Sequence, residues 1–76
     1  MGILVVARKV EETARHATYE FGLDEQFDRR IRIEKESGEV TTADGNLDVA
    51  AGMISVKIKR FLRETGKFPQ VAVYAP

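Results

Sequence analysis

The side chains best suited to chemistry in this sequence are one histidine and a few acids. His16 is the sole imidazole, and no serine, cysteine or second histidine is spaced with it for a triad or a metal site. We expect it to be an exposed strand residue. Asp24, Glu25 and Asp28 gather carboxylates in one loop, but such groups bind a cation or exchange protons only where they converge. No catalytic residue is predicted.

A second group of oxygen-bearing side chains, Asp44, Asn46 and Asp48, resembles the opening of a calcium-binding loop. The sixth position of that loop would be Val49, where glycine is required, and the twelfth would be Ser55, where glutamate is required. We interpret the group instead as the start of a helix, with Asn46 as the N-cap. No metal and no cofactor is predicted.

Two clusters of basic residues are candidates for binding. Arg29, Arg30 and Arg32, with Lys35 nearby, place guanidinium groups on or beside one strand face, where a sheet can track phosphates, although a solvated face with cross-strand ion pairs is the interpretation we favour. The second cluster lies toward the carboxyl end, where a single acid, Glu64, accompanies the following bases: Lys57, Lys59, Arg60, Arg63 and Lys67. These cations complement a helix dipole and shield apolar residues with their stems.

The overall composition limits the classes of function. The 76 residues include twelve basic and twelve acidic side chains, so the net charge of zero removes the general electrostatic argument for nucleic acid or a membrane surface. The absence of cysteine excludes disulfides and thiolate chemistry and fits a reducing cytoplasm. The apolar run from Ile3 to Ala7 is too short for a membrane span. We expect one small cytoplasmic domain covering residues 1–76.

The amino-terminal half predicts strands. Ile3 to Val6 is a compact β-branched run, and Ala14 to Phe21 alternates, with Ala17, Tyr19 and Phe21 on one face. A helix over residues 10–21 competes, because its apolar residues also share a helical face. That alternative gives the order βαββαβ, which is ferredoxin-like.

A hairpin follows the loop over residues 22–27. Residues 30–36 alternate with Ile31 and Ile33 inward, and Ser37-Gly38 then breaks the run. A two-residue loop there places Val40 and Thr42 on the side of Ile33, and a three-residue loop places Val40 on the arginine side. The hydrophobic pattern favours the two-residue loop.

The clearest periodicity in the chain predicts a long helix beginning at Leu47. The apolar residues that recur at intervals of three and four are Ala50, Ala51, Ile54, Ile58, Phe61 and Leu62. Val49, Met53 and Val56 widen this stripe, which favours burial on two sides. Gly66 suits a left-handed helix end, with Phe68 placed for a hydrophobic contact and Pro69 preventing continuation.

A final strand is predicted over residues 71–75. Because a helix between two strands usually makes a crossover, we expect this strand to run parallel to an earlier one. The predicted fold is therefore α+β, an antiparallel meander sheet packed on one long helix in the order ββββαβ. All six aromatic residues have the spacing of core residues.

Several of these segments resemble a group of short, uncharacterised proteins from actinobacteria. The matching strings are Tyr19 to Asp24, then Asp28 and Ile31 to Lys35, then Asp44-Gly45, and finally Glu64 to Pro69. The resemblance implies a small bacterial cytoplasmic protein without an assigned activity, and it contributes no catalytic residue.

We predict a non-enzymatic protein-interaction domain, with self-association as its simplest form. A protein partner or a homodimer is favoured over nucleic acid, and no membrane is involved. The alternative is a weak nucleic-acid-binding module that uses Arg29, Arg30, Arg32 and the basic end of the helix. The candidate interaction surface consists of Arg30, Arg32, Val49, Met53, Val56, Lys59, Arg60 and Arg63.

Overall fold

Five strands and one helix make up the fold in the computed structural model, which describes residues 4–24 and 26–75. The elements are β1 (Val5–Glu12), β2 (His16–Leu23), β3 (Arg29–Glu34), β4 (Val40–Thr42), α1 (Val49–Thr65) and β5 (Val71–Tyr74). Within the described ranges, no helix is long and apolar enough to cross a membrane.

The strands form a single sheet in the order β4-β3-β2-β1-β5, and every neighbouring pair is antiparallel. The predicted α+β meander with one helix is confirmed. The ferredoxin-like alternative is wrong, since residues 10–21 belong to β1, a short turn and β2. Helical and strand periodicities coincide over this segment. Pairing with neighbours on both sides of β2 satisfies its backbone and selects the strand form.

The first hairpin is longer than its sequence suggests. β1 continues through Lys9 to Glu12, residues expected in the connection, and its register shifts once between Lys9 and Glu11. The turn residue Thr13 accepts the backbone N–H of Arg15 and of His16 on its hydroxyl, at 3.1 and 3.2 Å. A threonine side chain thus replaces the glycine or proline usual in a tight turn. Ile3, in the predicted first strand, lies outside the described residues.

One face of the sheet is apolar and is covered by α1, and we call it the inner face. Side chains alternate across a strand, so alternate residues in the first half of β1 and in the middle of β2 and β3 enter the same core. The helix contributes Ala51, Ile54 and Ile58, all fully buried. The strands and the final loop contribute the other members: Val5, Ala7, Ala17, Tyr19, Phe21, Ile31, Ile33, Phe68 and Ala72.

The β3–β4 hairpin has the predicted facing but a different loop. Val40 pairs with Ile33 and Thr42 with Ile31, so both residues face inward as the hydrophobic pattern indicates. The loop has four residues between Glu34 and Glu39, which are joined by a backbone hydrogen bond of 2.9 Å, and Gly38 is left-handed. The expected two-residue loop is therefore wrong. A change of two residues in loop length leaves the facing unchanged.

The start of α1 corrects the sequence prediction by two residues. The N-cap is Asp48 rather than Asn46, and it accepts the backbone N–H of Ala51 at 3.0 Å. Asn46 instead donates its own N–H to the Asp44 carboxylate at 2.9 Å. The helix ends as predicted, because Gly66 is left-handed with φ 76° and donates its N–H to the Leu62 carbonyl.

β5 runs in the same direction as β2 and β4, as expected for a strand reached by a crossover. Its neighbour in the sheet is nevertheless the antiparallel β1, because α1 carries the chain from β4 at one edge to the opposite edge. The loop before β5 is held by Tyr19, which donates its hydroxyl proton to the Pro69 carbonyl. Burial raises the pKa of this tyrosine far above its usual range, so the hydroxyl remains a donor.

A close contact on the other face, the outer face, explains one glycine. A Cβ on Gly22 would lie 1.6 Å from the Gln26 carbonyl oxygen, so the loop after β2 folds back directly over this backbone. The loop delivers Phe27 to the outer face, where Arg8 stacks on its ring at 4.1 Å from the centroid. The expectation that Phe27 is a core residue is wrong. Phe61, 43% exposed, also lies outside the core.

Ile54→Ala or Ile58→Ala should lower the free energy of unfolding by about 2 to 5 kcal/mol, because each truncates a fully buried side chain between α1 and the sheet. Urea denaturation followed by circular dichroism measures the change. Val10→Ala is the control, since Val10 is 43% exposed and lies outside the core, and its truncation should cost less than about 0.5 kcal/mol. A loss below about 1 kcal/mol at both isoleucines would contradict this core.

Gly22→Ala should destabilise the protein by roughly 1 to 3 kcal/mol, since the loop carrying Gln26 must move to admit the methyl group. Gly52→Ala is the matched control in the middle of α1, where nothing lies within 4 Å of the new Cβ. It should stabilise by about 0.5 to 1 kcal/mol through helix propensity. Thermal unfolding of both variants checks the two signs, and equal effects would refute the close contact.

Candidate interaction surface

Arg29 is separated from the other arginines of its cluster and has a structural role. Its guanidinium lies over the Phe21 ring at 4.7 Å and donates to both carboxylate oxygens of Asp48, at 3.0 and 2.9 Å. It also donates to Asp44 at 3.2 Å and to the Asn46 carbonyl at 2.8 Å. The planar, multidentate guanidinium thus joins β3 to the loop that begins α1. Arg29 therefore contacts all three residues that resemble the start of a calcium-binding loop, Asp44, Asn46 and Asp48.

The electrostatics of this cluster agree with its geometry. The pKa of Asp48 is lowered by the N–H of Ala51 and by Arg29, and that of Asp44 is lowered by the N–H of Asn46 and by Arg29. The hydrogen bonds that Arg29 donates to Asp48 in turn raise the pKa of Arg29. Both carboxylates therefore stay ionised in the folded state, which suits an N-cap at the positive end of a helix dipole.

The outer face of the sheet carries a ladder of alternating charges. Glu20 lies between Arg8 on β1 and Arg30 on β3, with N···O distances of 3.3 and 3.8 Å. This is the predicted solvated face with cross-strand ion pairs. Arg32 lies opposite Thr18 and Thr41 in the neighbouring strands.

A shallow depression on the outer face is lined in part by both exposed arginines of β3. Its volume is about 610 Å³, and Arg30, Arg32, Thr18 and Glu11 contribute to the lining. The Thr18 hydroxyl oxygen is buried there and has no hydrogen-bond partner among the described residues. Because Glu11 shares the lining with the arginines, the surface has no single sign of charge.

The remaining candidates lie on α1, on the opposite side of the molecule from Arg30 and Arg32. Val49, Met53, Val56 and Arg60 recur at intervals of four, three and four, so they share one side of the helix, and we call them the outer ridge. Val49 is 71% and Val56 60% exposed. The expectation that the wide stripe is buried on two sides is wrong within one chain.

Lys59 and Arg63 flank this outer ridge. Lys59 is partly buried and donates to the Gly38 carbonyl at 3.3 Å, which ties α1 to the β3–β4 loop, whereas Arg63 is exposed in the last turn of the helix. The eight predicted surface residues therefore divide between two opposite faces. Alternation on β3 and helical spacing on α1 each predict a shared face, but neither says how the two elements are stacked.

A groove joins the outer ridge to the edge of the sheet. It has a volume of about 310 Å³ and is lined by Met53, Val56, Lys57, Arg60, Tyr74 and Ala75. Tyr74 and Ala75 were absent from the sequence-based candidate surface. The only sequence signal for them is the uncharged strand Val71–Tyr74 itself, because its place at the sheet edge is a matter of tertiary structure.

The remaining acid and imidazole candidates do not converge on a site. His16 is partly covered, with its Nε2 3.6 Å from Glu11 and its Nδ1 3.4 Å from the Thr13 hydroxyl. Across residues 4–24 and 26–75, no three His, Asp or Glu side chains are grouped as metal ligands. Glu25, part of the predicted carboxylate loop, lies outside the described residues.

Comparison with protein-family models, with curated proteins and with solved structures gives no match for this chain. The resemblance to short actinobacterial proteins accordingly stays a prediction. Any proposal about function depends on the geometry of the outer ridge, the groove and the sheet edge.

Asp48→Ala should lower the unfolding midpoint more than Asp48→Asn, because asparagine keeps an oxygen for the N–H of Ala51 and loses only the charge facing Arg29.

The free energy of unfolding should depend on pH with a definite sign. Carboxylates with lowered folded pKa values stabilise the wild type above the ordinary aspartate pKa of about 4, and this stabilisation is lost on further acidification.

Thermal melts between neutral and acidic pH test both statements. In acid, the difference between the wild type and Asp48→Asn should shrink, because the charge that distinguishes them is neutralised. A constant difference at every pH would show that the Arg29–Asp48 pair contributes nothing to stability.

Proposed function

We propose that this chain is a non-enzymatic protein-interaction domain that self-associates through the outer ridge of α1 and the adjoining groove. The observation that supports this function is the exposure of Val49 and Val56 next to Met53 on the side of the helix away from the core. Single exposed apolar residues are ordinary on protein surfaces, whereas a contiguous set marks a place where another molecule binds.

The surroundings of the outer ridge resemble the rim of an interface. Lys57 and Arg60 border the groove, and Glu64 lies 3.3 Å from Arg60 one turn further along. Protein interfaces commonly combine an apolar centre with a charged rim that remains accessible to water. Both signs of charge are present on this side of α1, so a second copy can supply the complement of each.

Self-association also suits the size of the domain. A 76-residue chain with one helix over one sheet buries a limited apolar area, so its stability is modest. Any partner that binds only the folded state adds stability by mass action. A second copy is the partner that is always available at the concentration of the protein itself.

The alternative function, binding of nucleic acid, has weaker support. Arg29 is engaged by Asp44 and Asp48, and Arg8 and Arg30 share Glu20. These acids offset the positive charge that the paired arginines would otherwise present to a phosphate. The basic end of α1 lies on the other side of the sheet from Arg30 and Arg32, so the two basic groups do not form one track for a phosphate backbone.

Sedimentation equilibrium from micromolar to millimolar protein tests the proposed function. We expect a monomer–dimer equilibrium that persists in moderate salt, because salt screens ion pairs and does not weaken the burial of apolar surface. Val56→Lys should raise the dimer dissociation constant at least about tenfold, because it places a charge in the apolar centre.

Val10→Lys is the matched control, since Val10 is also an exposed valine, at 43%, but lies on β1. Its dissociation constant should equal that of the wild type. A mass of 8.5 kDa at every concentration, or equal weakening by both variants, would contradict association through the outer ridge.

A further inference from the structure

The free edge of β5 presents backbone groups in a defined pattern. Lys9 donates its N–H to the Gln70 carbonyl at 2.9 Å, which fixes which β5 residues bond to β1. Hydrogen-bonded residues alternate along an antiparallel strand, so Ala72 and Tyr74 also bond to β1. The N–H and C=O groups of Val71 and Val73 therefore point away from β1, toward the open side of the sheet. Ala75 follows the strand, and an extended backbone at this residue adds its N–H and C=O to the same side.

The two edges of the sheet are not equivalent. β4 has only three residues, and the Thr42 carbonyl at its end accepts the N–H of Gly45. β5 contains neither charge nor proline between Val71 and Tyr74, and both of its valines are exposed, at 56% and 42%. Charges, prolines and turns are among the devices that protect an edge from pairing, and Val71–Tyr74 contains none of these three.

A second copy of the same strand fits this edge by symmetry. A two-fold axis perpendicular to the sheet pairs β5 with β5 in antiparallel fashion and keeps the inner faces together. In such a pair, residues opposite each other must carry their side chains on the same face of the sheet. Two registers near the middle of β5 meet this condition, one with Ala72 on the axis and one with Val73.

The hydrogen bonds select between these registers. With Val73 on the axis, Val73 lies opposite Val73 of the second copy. Val71 of each copy lies opposite Ala75 of the other. Three residue pairs therefore form, each with two backbone hydrogen bonds. With Ala72 on the axis only two such pairs form, because the next residue is Pro69, which has no N–H and whose carbonyl accepts the Tyr19 hydroxyl.

The side chains are compatible with the Val73 register. On the inner face, Tyr74 of each copy lies opposite Ala72 of the other, a large residue beside a small one. The two α1 helices lie on the same face of the joined sheet and run antiparallel. The Lys57 end of each groove then approaches the Glu64 end of the other helix, which pairs opposite charges.

We infer that β5 of one chain pairs with β5 of a second copy about an axis at Val73, forming a continuous ten-stranded sheet with both helices on one face. This inference rests on the proposed function, and it identifies the partner, the strand and the register. The joined sheet also covers the edge that would otherwise invite open-ended association.

Amide hydrogen exchange by NMR reads the pairing directly. In dilute protein the amides of Ala72 and Tyr74 should be protected and those of Val71, Val73 and Ala75 should exchange rapidly. At concentrations where the dimer predominates, the second group should become protected as well. Fast exchange of Val71 and Val73 in a fully formed dimer would overturn the inference.

Val73→Pro supplies the mutational test, because the N–H that it removes points to the free edge and not to β1. It should raise the dimer dissociation constant at least about tenfold while leaving the monomer folded. Val73→Lys, which sets like charges opposite each other on the axis, should weaken the dimer similarly if proline perturbs the strand. Val10→Lys again serves as the control, and it should leave the dimer dissociation constant unchanged.

The results separate the two proposals. A dimer weakened by Val56→Lys but not by either Val73 variant would keep the proposed function and overturn β5 pairing. A dimer weakened only at Val73 would keep β5 pairing and remove the outer ridge from the interface. A chain that stays monomeric at millimolar concentration would overturn both.

Discussion

The packing of Ile54 and Ile58 of α1 on the inner face of the sheet is the interaction on which the rest of this protein depends. A sheet with one helix has one dry face, so the strand residues that lie beneath the helix must be apolar at alternate positions, and the residues between them must tolerate water. The Arg8–Glu20–Arg30 ladder is the consequence on the outer face. The loop that places Phe27 under Arg8 covers a small part of that face without forming a second core.

The single helix must also carry the chain from one edge of the sheet to the other. Arg29 fixes its beginning by joining β3 to Asp48 and Asp44, and left-handed Gly66 fixes its end. Because β5 is then added beyond β1, the first strand becomes interior and the last becomes an edge. The same crossover that completes the core leaves the edge of β5 open beside α1.

The proposed function follows from what this arrangement leaves uncovered. A helix on a single sheet buries about one side of its surface. Val49 and Val56 lie on the other side, so their apolar side chains stay exposed to water. The groove beside Tyr74 connects this exposed side to the edge of β5. The outer ridge, the groove and the unpaired edge of β5 are thus the surfaces that this fold leaves available to a second copy.

Local patterns in the sequence determined the alternation of β2 and β3, the inward face of α1 and the left-handed end at Gly66, since each depends on neighbours within a few residues. Tertiary structure decided between helix and strand over residues 10–21, because both periods fit. It also chose Asp48 over Asn46 as the cap, through the reach of Arg29, and it divided the predicted surface between two faces. Long-range stacking and hydrogen bonding set these outcomes, and residue types alone do not encode which strand lies beside which.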